Sequence, residues 1–114
     1  MSAITTHVLD TAVGRPGAGI PVTLEHKSHS AGWEIIAEGV TDADGRVKDL
    51  LSPAEAPEAG HYRLNFDTGA YFAAQDIEFF YPVVTVGFVV KDPSQHYHVP
   101  LLLSPFGYST YRGS

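Results

Sequence analysis

The segment HYHVPLLLSPFGYSTYRGS, from His96 to Ser114, contains two short β-like runs on either side of a Ser-Pro turn. In the first run, from His96 to Leu103, the polar residues His96 and His98 alternate with the apolar residues Tyr97 and Val99. Because successive side chains of a strand point to opposite faces, this period of two predicts a strand with one buried face. The residues expected on that interior face are Tyr97, Val99, Leu101 and Leu103. His98 is then expected on the opposite face.

Similar runs recur along the chain at the spacing of roughly 8–12 residues that is typical of sandwiches and barrels. They are Ile4 to Asp10, Pro21 to His29, Trp33 to Val40, Arg46 to Leu51, His61 to Asp67, Pro82 to Lys91 and Phe106 to Arg112. GRPGAG (14–19) and TDADG (41–45) are turn signals, because Asp and Gly tolerate positive φ. One or two helical turns are expected between Thr68 and Gln75, capped by Asp67 or Thr68. The pattern predicts an all-β protein of about eight strands with one short helix, and the 114 residues (1–114) predict a single domain.

Composition restricts the possible partners. The net charge is −6, and the seven Lys and Arg form no basic run, so nucleic-acid binding is not expected. The start of the sequence has no secretory pattern, and the most apolar stretch, Pro82 to Val90, is too short for a membrane-spanning helix. We therefore expect a soluble, cytoplasmic protein without membrane association. The absence of cysteine excludes disulfides, a thiolate nucleophile and a cysteine-based zinc site.

Three of the six histidines stand out as candidates for chemistry: His7, His96 and His98. His96 and His98 are two residues apart on a predicted strand, so both point to the same side. The pair is compatible with proton transfer or with zinc binding, for which His7 would be a third ligand, and the spacing leaves both open. Ser104, Ser109 and Ser114 lie outside any Gly-x-Ser-x-Gly elbow, so a serine triad is not indicated.

Three segments resemble signatures of the transthyretin-like (transthyretin-related) family. They are HVLD (7–10) followed by GRPGAGIPV (14–22), then TDADGRV (41–47), and finally the stretch from His96 to Ser114. The closing YRGS resembles the tetrapeptide that separates the members hydrolysing 5-hydroxyisourate from the hormone-carrying transthyretins. The resemblance covers essentially the whole chain in order.

The resemblance implies a two-sheet sandwich and a homotetramer, a dimer of dimers with active sites in a cleft between subunits. It implies no cofactor and no metal. Carried over by position, His7, Arg46 and His98 would form the catalytic set. The remaining site residues would be Ser109, Tyr111, Arg112 and Ser114. Strand parity agrees with these positions, because it puts His7 with Leu9, His98 with Pro100 and Leu102, and Ser109 with Tyr111.

The activity implied is that of a cyclic amide hydrolase in urate (purine) degradation. Such an enzyme converts 5-hydroxyisourate to 2-oxo-4-hydroxy-4-carboxy-5-ureidoimidazoline by breaking a lactam C–N bond. Water is the expected attacker, with His7 and His98 sharing proton transfer in an order that the sequence leaves open and Arg46 orienting the substrate. The alternatives are a non-catalytic small-ligand carrier of transthyretin type, a metallohydrolase using His7, His96 and His98, and a structural β-sandwich module.

Overall fold

Eight strands and one helix make up the regular structure of the part that the computed structural model describes, residues 2–30, 32–52 and 56–114. The strands are β1 (Ile4–Asp10), β2 (Arg15–Pro16), β3 (Pro21–Ser28), β4 (Gly32–Val40), β5 (Gly60–Phe66), β6 (Val84–Val90), β7 (Tyr97–Ser104) and β8 (Gly107–Thr110). Helix α1 (Thr68–Ala73) lies between β5 and β6. The predicted all-β architecture, with about eight strands and one short helix, is confirmed.

The strands form two four-stranded sheets, with the orders β2-β1-β7-β8 and β4-β3-β5-β6. All pairs are antiparallel except β1 and β7, which run parallel. The hydrophobic core is formed by apolar residues of both sheets, including Val8 and Leu101 of the first and Leu24 and Leu64 of the second. Each of these four side chains is fully buried. The sandwich is therefore stabilised mainly by apolar surface removed from water between its two sheets.

The parallel pair β1 and β7 fixes which residues share the outer face of the first sheet. Thr5 lies opposite His98 and His7 lies opposite Pro100 in the register. Thr5, His7 and His98 are half-buried, whereas the positions that alternate with them, including the polar Thr6, are buried. The predicted alternation of the two strands is confirmed, because Val8, Tyr97, Val99, Leu101 and Leu103 all belong to the core.

The segment from Arg46 to Leu51 differs from its prediction, because it is not a strand. Arg46 forms one isolated antiparallel bridge with His7, and turns follow it. Val47, Leu50 and Leu51 are buried as core residues, so their apolar character reflects packing rather than pairing in a sheet. The number of strands is still eight because of β2, which was not predicted. Its two residues lie inside the segment predicted as a turn (14–19) and pair with Leu9 and Asp10 of β1.

Helix α1 confirms the predicted short helix and its cap. The Asp67 carboxylate accepts a hydrogen bond from the backbone N–H of Ala70 at 3.2 Å, as an N-cap residue does. The Tyr71 hydroxyl donates to Oδ2 of the buried Asp10 at 2.7 Å and so ties the helix to the end of β1. In residues 2–30, 32–52 and 56–114, no helix has the length and apolar character needed to cross a membrane.

Candidate active site

A pocket of about 510 Å³ opens at the end of the first sheet where the parallel strands β1 and β7 begin. Its polar lining comes from three parts of the chain that are far apart in sequence: Ser2, Thr5, Thr6, Arg46, Lys48, Asp49, His96, His98 and Ser114. The volume lies within the range of roughly 300–1,000 Å³ that is usual for small-molecule sites. The convergence of two imidazoles and two cations makes this pocket the candidate active site.

The turn TDADG positions Arg46 at the pocket. The Asp42 carboxylate accepts hydrogen bonds from the backbone N–H groups of Asp44 at 2.9 Å and Arg46 at 3.1 Å. Gly45 adopts φ +79°, and a Cβ at this position would overlap the carbonyl oxygen of Val8. The backbone N–H of Val8 donates to the Gly45 carbonyl at 2.8 Å, which attaches the turn to β1. Arg46 is thereby held beside His7, its bridge partner.

His98 occupies a half-buried position among positive charges. Burial lowers the pKa of His98 below its ordinary value of 6.5, and the positive charges of Arg46, His96 and His7 lower it further. The imidazole is therefore neutral at pH 7 and able to accept a proton. A neutral imidazole beside a permanent guanidinium charge is suited to activating a water molecule and stabilising the negative charge that its attack creates.

The C-terminal segment packs against His98. The backbone N–H of Gly113 donates to the His98 carbonyl at 2.8 Å, which extends the pairing of the sheet beyond β8. A Cβ at Gly113 would lie 2.5 Å from Cδ2 of His98 and 3.2 Å from Cγ of Pro100. Glycine is thus the residue that allows the backbone to approach the imidazole ring, and Ser114 follows it into the pocket lining.

Thr5 joins the two histidines of the pocket. Its Oγ1 lies 2.8 Å from Nδ1 of His98 and 2.9 Å from Nε2 of His96. The two ring centroids are 6.4 Å apart, so the hydroxyl bridges rings that do not bond directly. Thr5 was not predicted as a site residue, although its parity with His7 puts it on the same face of β1.

The predicted site residues divide into two groups in the isolated chain. Arg46, His98 and Ser114 line the pocket, and His7 lies beside it as the bridge partner of Arg46. The other three residues, Ser109, Tyr111 and Arg112, do not line it. Lys48 and Asp49 line it without having been singled out from the sequence.

Tyr111 and Arg112 instead line a second cavity of about 520 Å³ beside β6 and β7. The Arg112 guanidinium lies 4.4 Å from the centroid of the Tyr97 ring, and its Nη2 donates to the His96 carbonyl at 3.3 Å. The hydrogen bond of Arg112 to a residue of the candidate site therefore goes to the backbone of His96. Ser109 of β8 lies opposite Leu102 of β7 and lines neither cavity.

His7, His96 and His98 are not arranged as a set of metal ligands. No group of three or more His, Asp or Glu side chains that could hold a metal ion occurs within residues 2–30, 32–52 and 56–114.

Comparison with known proteins gives the class of protein to which this sandwich and its pocket belong. The family model described as HIUase/Transthyretin matches residues 4–113, so the chain belongs to that family. The resemblance inferred from HVLD, TDADGRV and the C-terminal segment is confirmed.

Individual relatives extend over almost the whole chain. The 5-hydroxyisourate hydrolase of Salmonella dublin is 46% identical over 111 residues, which are 97% of this chain and 80% of that protein. The structure of Klebsiella pneumoniae 5-hydroxyisourate hydrolase superposes with a TM-score of 0.83 at 39% identity, covering 97% of this chain and 98% of the other. Sea bream transthyretin in complex with thyroxine superposes with a TM-score of 0.91 at 36% identity, covering 98% and 95%.

Proposed function

We propose that this protein is an enzyme that hydrolyses 5-hydroxyisourate to 2-oxo-4-hydroxy-4-carboxy-5-ureidoimidazoline in urate degradation. The observation that carries the proposal is the meeting of Arg46 and a neutral His98 in one pocket, in a chain whose relatives at 43–46% identity are named hydrolases of this substrate. The reaction breaks a cyclic amide C–N bond by adding water. Each group that this chemistry needs has a candidate side chain at the pocket.

His98 is the candidate for the base that activates water. As water attacks the lactam carbonyl carbon, its proton passes to the imidazole, and a tetrahedral oxyanion forms. The lowered pKa keeps His98 unprotonated at pH 7, which is the state that a base requires. In the part of the chain that the structure describes, Nε2 of His98 has no hydrogen-bonded protein partner, so this nitrogen is available to a water molecule.

Arg46 is the candidate for substrate orientation and oxyanion stabilisation. A guanidinium provides forked donors and a charge that persists at all relevant pH values, which suits a planar heterocycle with carbonyl oxygens. Losing one donor of this kind costs roughly 3–4 kcal/mol of transition-state stabilisation. The bonds from Asp42 to the backbone of Asp44 and Arg46 support this role, because they fix the turn that carries the side chain.

Collapse of the tetrahedral intermediate breaks the C–N bond, and the leaving nitrogen needs a proton. His98 can return the proton that it took from water, and His7 is the second candidate donor on the same face. The ring opening leaves a carboxyl group and the NH2 of a ureido group, so the atoms of one water molecule are fully used.

We propose further that the chain assembles as a homotetramer, a dimer of dimers, and that assembly brings Ser109, Tyr111 and Arg112 to the active-site cleft. Large apolar side chains on and near the edge strands β6 and β8 support this, because several are strongly exposed in the single chain. Val89, for example, is 43% exposed to solvent, and Tyr111 is 57% exposed. Static light scattering on the purified protein tests the assembly, and a monomer at working concentration would contradict it.

A non-catalytic carrier of transthyretin type has less support. The fold does not separate the two functions, because transthyretin and hydrolase structures both superpose well. The chemistry of the pocket does separate them, because two imidazoles and two cations suit proton transfer rather than an apolar ligand. Thyroxine binding without turnover of 5-hydroxyisourate would favour the carrier.

The deciding experiment is a spectroscopic assay with freshly generated 5-hydroxyisourate, from which spontaneous decay is subtracted. We expect protein-dependent loss of substrate that is proportional to protein concentration. Decay at the spontaneous rate in the presence of folded protein would refute the proposed function.

A further inference from the structure

We propose that Thr5 is a positioning residue that couples the tautomers of His96 and His98, so that His98 acts first as base and then as acid while the positive charge is carried by His96. This inference rests on the proposed hydrolase function for its catalytic part. It is carried by one geometric observation: a single hydroxyl oxygen within 2.9 Å of a ring nitrogen from each of two histidines.

The hydroxyl group couples the two rings whenever its own proton is donated to one of them. Thr5 Oγ1 has one proton to donate and lone pairs with which to accept. If the proton points to Nδ1 of His98, then Nε2 of His96 must donate to the oxygen. If the proton points to Nε2 of His96, then Nδ1 of His98 must donate. One ring nitrogen therefore carries a proton toward Thr5 whenever the other does not.

The two arrangements give His98 opposite properties at its free nitrogen. When Nδ1 of His98 is protonated and donates to Thr5, Nε2 has a free lone pair and is a base. When Thr5 donates to Nδ1, Nε2 of the neutral ring carries the proton and is an acid. Thr5 thus sets which half of the hydrolytic reaction His98 is ready to perform.

The proton shifts balance over the reaction. In the base step, Nε2 of His98 takes a proton from water, its Nδ1 proton passes to Thr5 Oγ1, and the Thr5 proton passes to Nε2 of His96. His96 becomes an imidazolium and His98 stays neutral. In the acid step, Nε2 of His98 protonates the leaving nitrogen, and the proton on His96 returns through Thr5 to Nδ1 of His98.

The surroundings favour charge on His96 over charge on His98. His96 is exposed, so water solvates its cation, whereas His98 is half-buried. The groups around His98 are His7 on β1, His96 on its own segment, and Arg46, Lys48 and Asp49 on the segment after the turn. Burial and the positive groups lower the pKa of His98, which makes a cation there costly. A relay through Thr5 avoids that cost.

Ring nitrogen NMR of protein labelled with 15N-histidine tests the coupling without substrate. A protonated His96 donates from Nε2 to Thr5, and the relay requires the Thr5 proton then to bond Nδ1 of His98. We therefore expect the His98 Nδ1 signal to move to the unprotonated position as His96 is protonated. Thr5→Ser should keep this response, and Thr5→Val should lose it. If the His98 Nδ1 signal of the wild-type protein does not change as His96 is protonated, the proposal is overturned, whether or not any variant folds.

Kinetics test the catalytic part. We expect Thr5→Val to lower kcat by at least about 10-fold with a smaller change in KM, and Thr5→Ser to restore most of the rate. Because Thr5 and His96 act in one proton relay, the double variant Thr5→Val with His96→Asn should lose no more activity than either single variant. Thr85→Val is the matched control, since Thr85 Oγ1 donates to Asn65 Oδ1 at 2.8 Å on the other sheet. Additive losses, or equal losses in Thr5→Val and Thr5→Ser, would contradict the relay.

The two proposals fail separately. If the wild-type protein does not accelerate the loss of 5-hydroxyisourate, the proposed function is refuted. The NMR titration still decides whether Thr5 couples the two rings.

Discussion

Gly113 and His98 are packed so closely that any side chain on Gly113 would displace the imidazole. The backbone N–H of Gly113 also donates to the His98 carbonyl at 2.8 Å, so the glycine fixes both the ring and the strand that carries it. The tetrapeptide YRGS therefore contributes to the candidate site through backbone placement as well as through its side chains.

We expect Gly113→Ala to lower kcat/KM by at least about 10-fold with little loss of stability, because misplacing a catalytic group by about 1 Å is costly. Gly107→Ala is the matched control, since a Cβ there meets only Ser104 Oγ at 3.7 Å. Steady-state assays and thermal melts of both variants distinguish these effects. Equal activities in the two alanine variants would show that His98 does not depend on Gly113.

Replacing His98 by Asn removes the proposed base while keeping a polar side chain of similar size. We expect folding to survive and kcat to fall by roughly 10²-fold or more. The exposed His61 gives the control, because His61→Asn changes the same residue type far from the pocket. Full turnover in His98→Asn would remove this residue from the mechanism.

Arg46→Lys keeps the positive charge but loses the forked N–H donors of the guanidinium. We expect kcat/KM to fall by about 10-fold or more, because a lysine cannot provide two parallel donors to a planar substrate. The measurement is the kinetics with 5-hydroxyisourate at pH 7. Unchanged kcat/KM would mean that the charge alone accounts for the contribution of Arg46.

In a His96→Asn background, where the relay partner is removed, the pH profile should report the lowered pKa of His98. As the pH falls, His98 gains a proton and ceases to be a base, so kcat/KM should decline with a midpoint below 6.5. Arg46→Gln removes a positive charge that opposes this protonation, so the midpoint should move up. It should stay below 6.5, because burial still lowers the pKa of His98. A midpoint that stays fixed or moves down in Arg46→Gln would contradict the assignment of this limb to His98.

Gly45→Ala tests the turn that carries Arg46. The substitution combines a positive φ with overlap against the Val8 carbonyl, and we expect a loss of about 3 kcal/mol or more in the free energy of unfolding. Gly14→Ala is the matched control, because Gly14 has φ +69° and open space around its Cα. It should lose only about 1 kcal/mol. Chemical denaturation of both variants measures the difference, and equal losses would show that the overlap is relieved at little cost.

Much of the fold could be predicted because alternation directly encodes the faces of a strand. The bounds of β1 agree with the prediction, and the buried set on β7 follows the predicted parity. Arg46 to Leu51 was wrongly predicted as a strand, because its apolar residues fill the core from a turn. The two-residue β2 was missed because so short a strand leaves no periodic signal.

The candidate site could be predicted only in part. His7 and His98 follow from parity and resemblance, but the register of a parallel pair is set by tertiary packing and cannot be read from either strand alone. This is why Thr5, which lies opposite His98, was missed. The position of Tyr111 and Arg112 beside a different cavity depends on the path of the chain after β8, which alternation does not encode.

The parallel pairing of β1 with β7 also governs when the site can form during synthesis. Thr5 and His98 are separated by 93 positions, so the first strand leaves the ribosome long before its partner exists. Contacts of such long range form late and slowly during folding, since a large loop must close first. All strands of the β4-β3-β5-β6 sheet are therefore synthesised before Thr5 can meet His98 and the pocket can form.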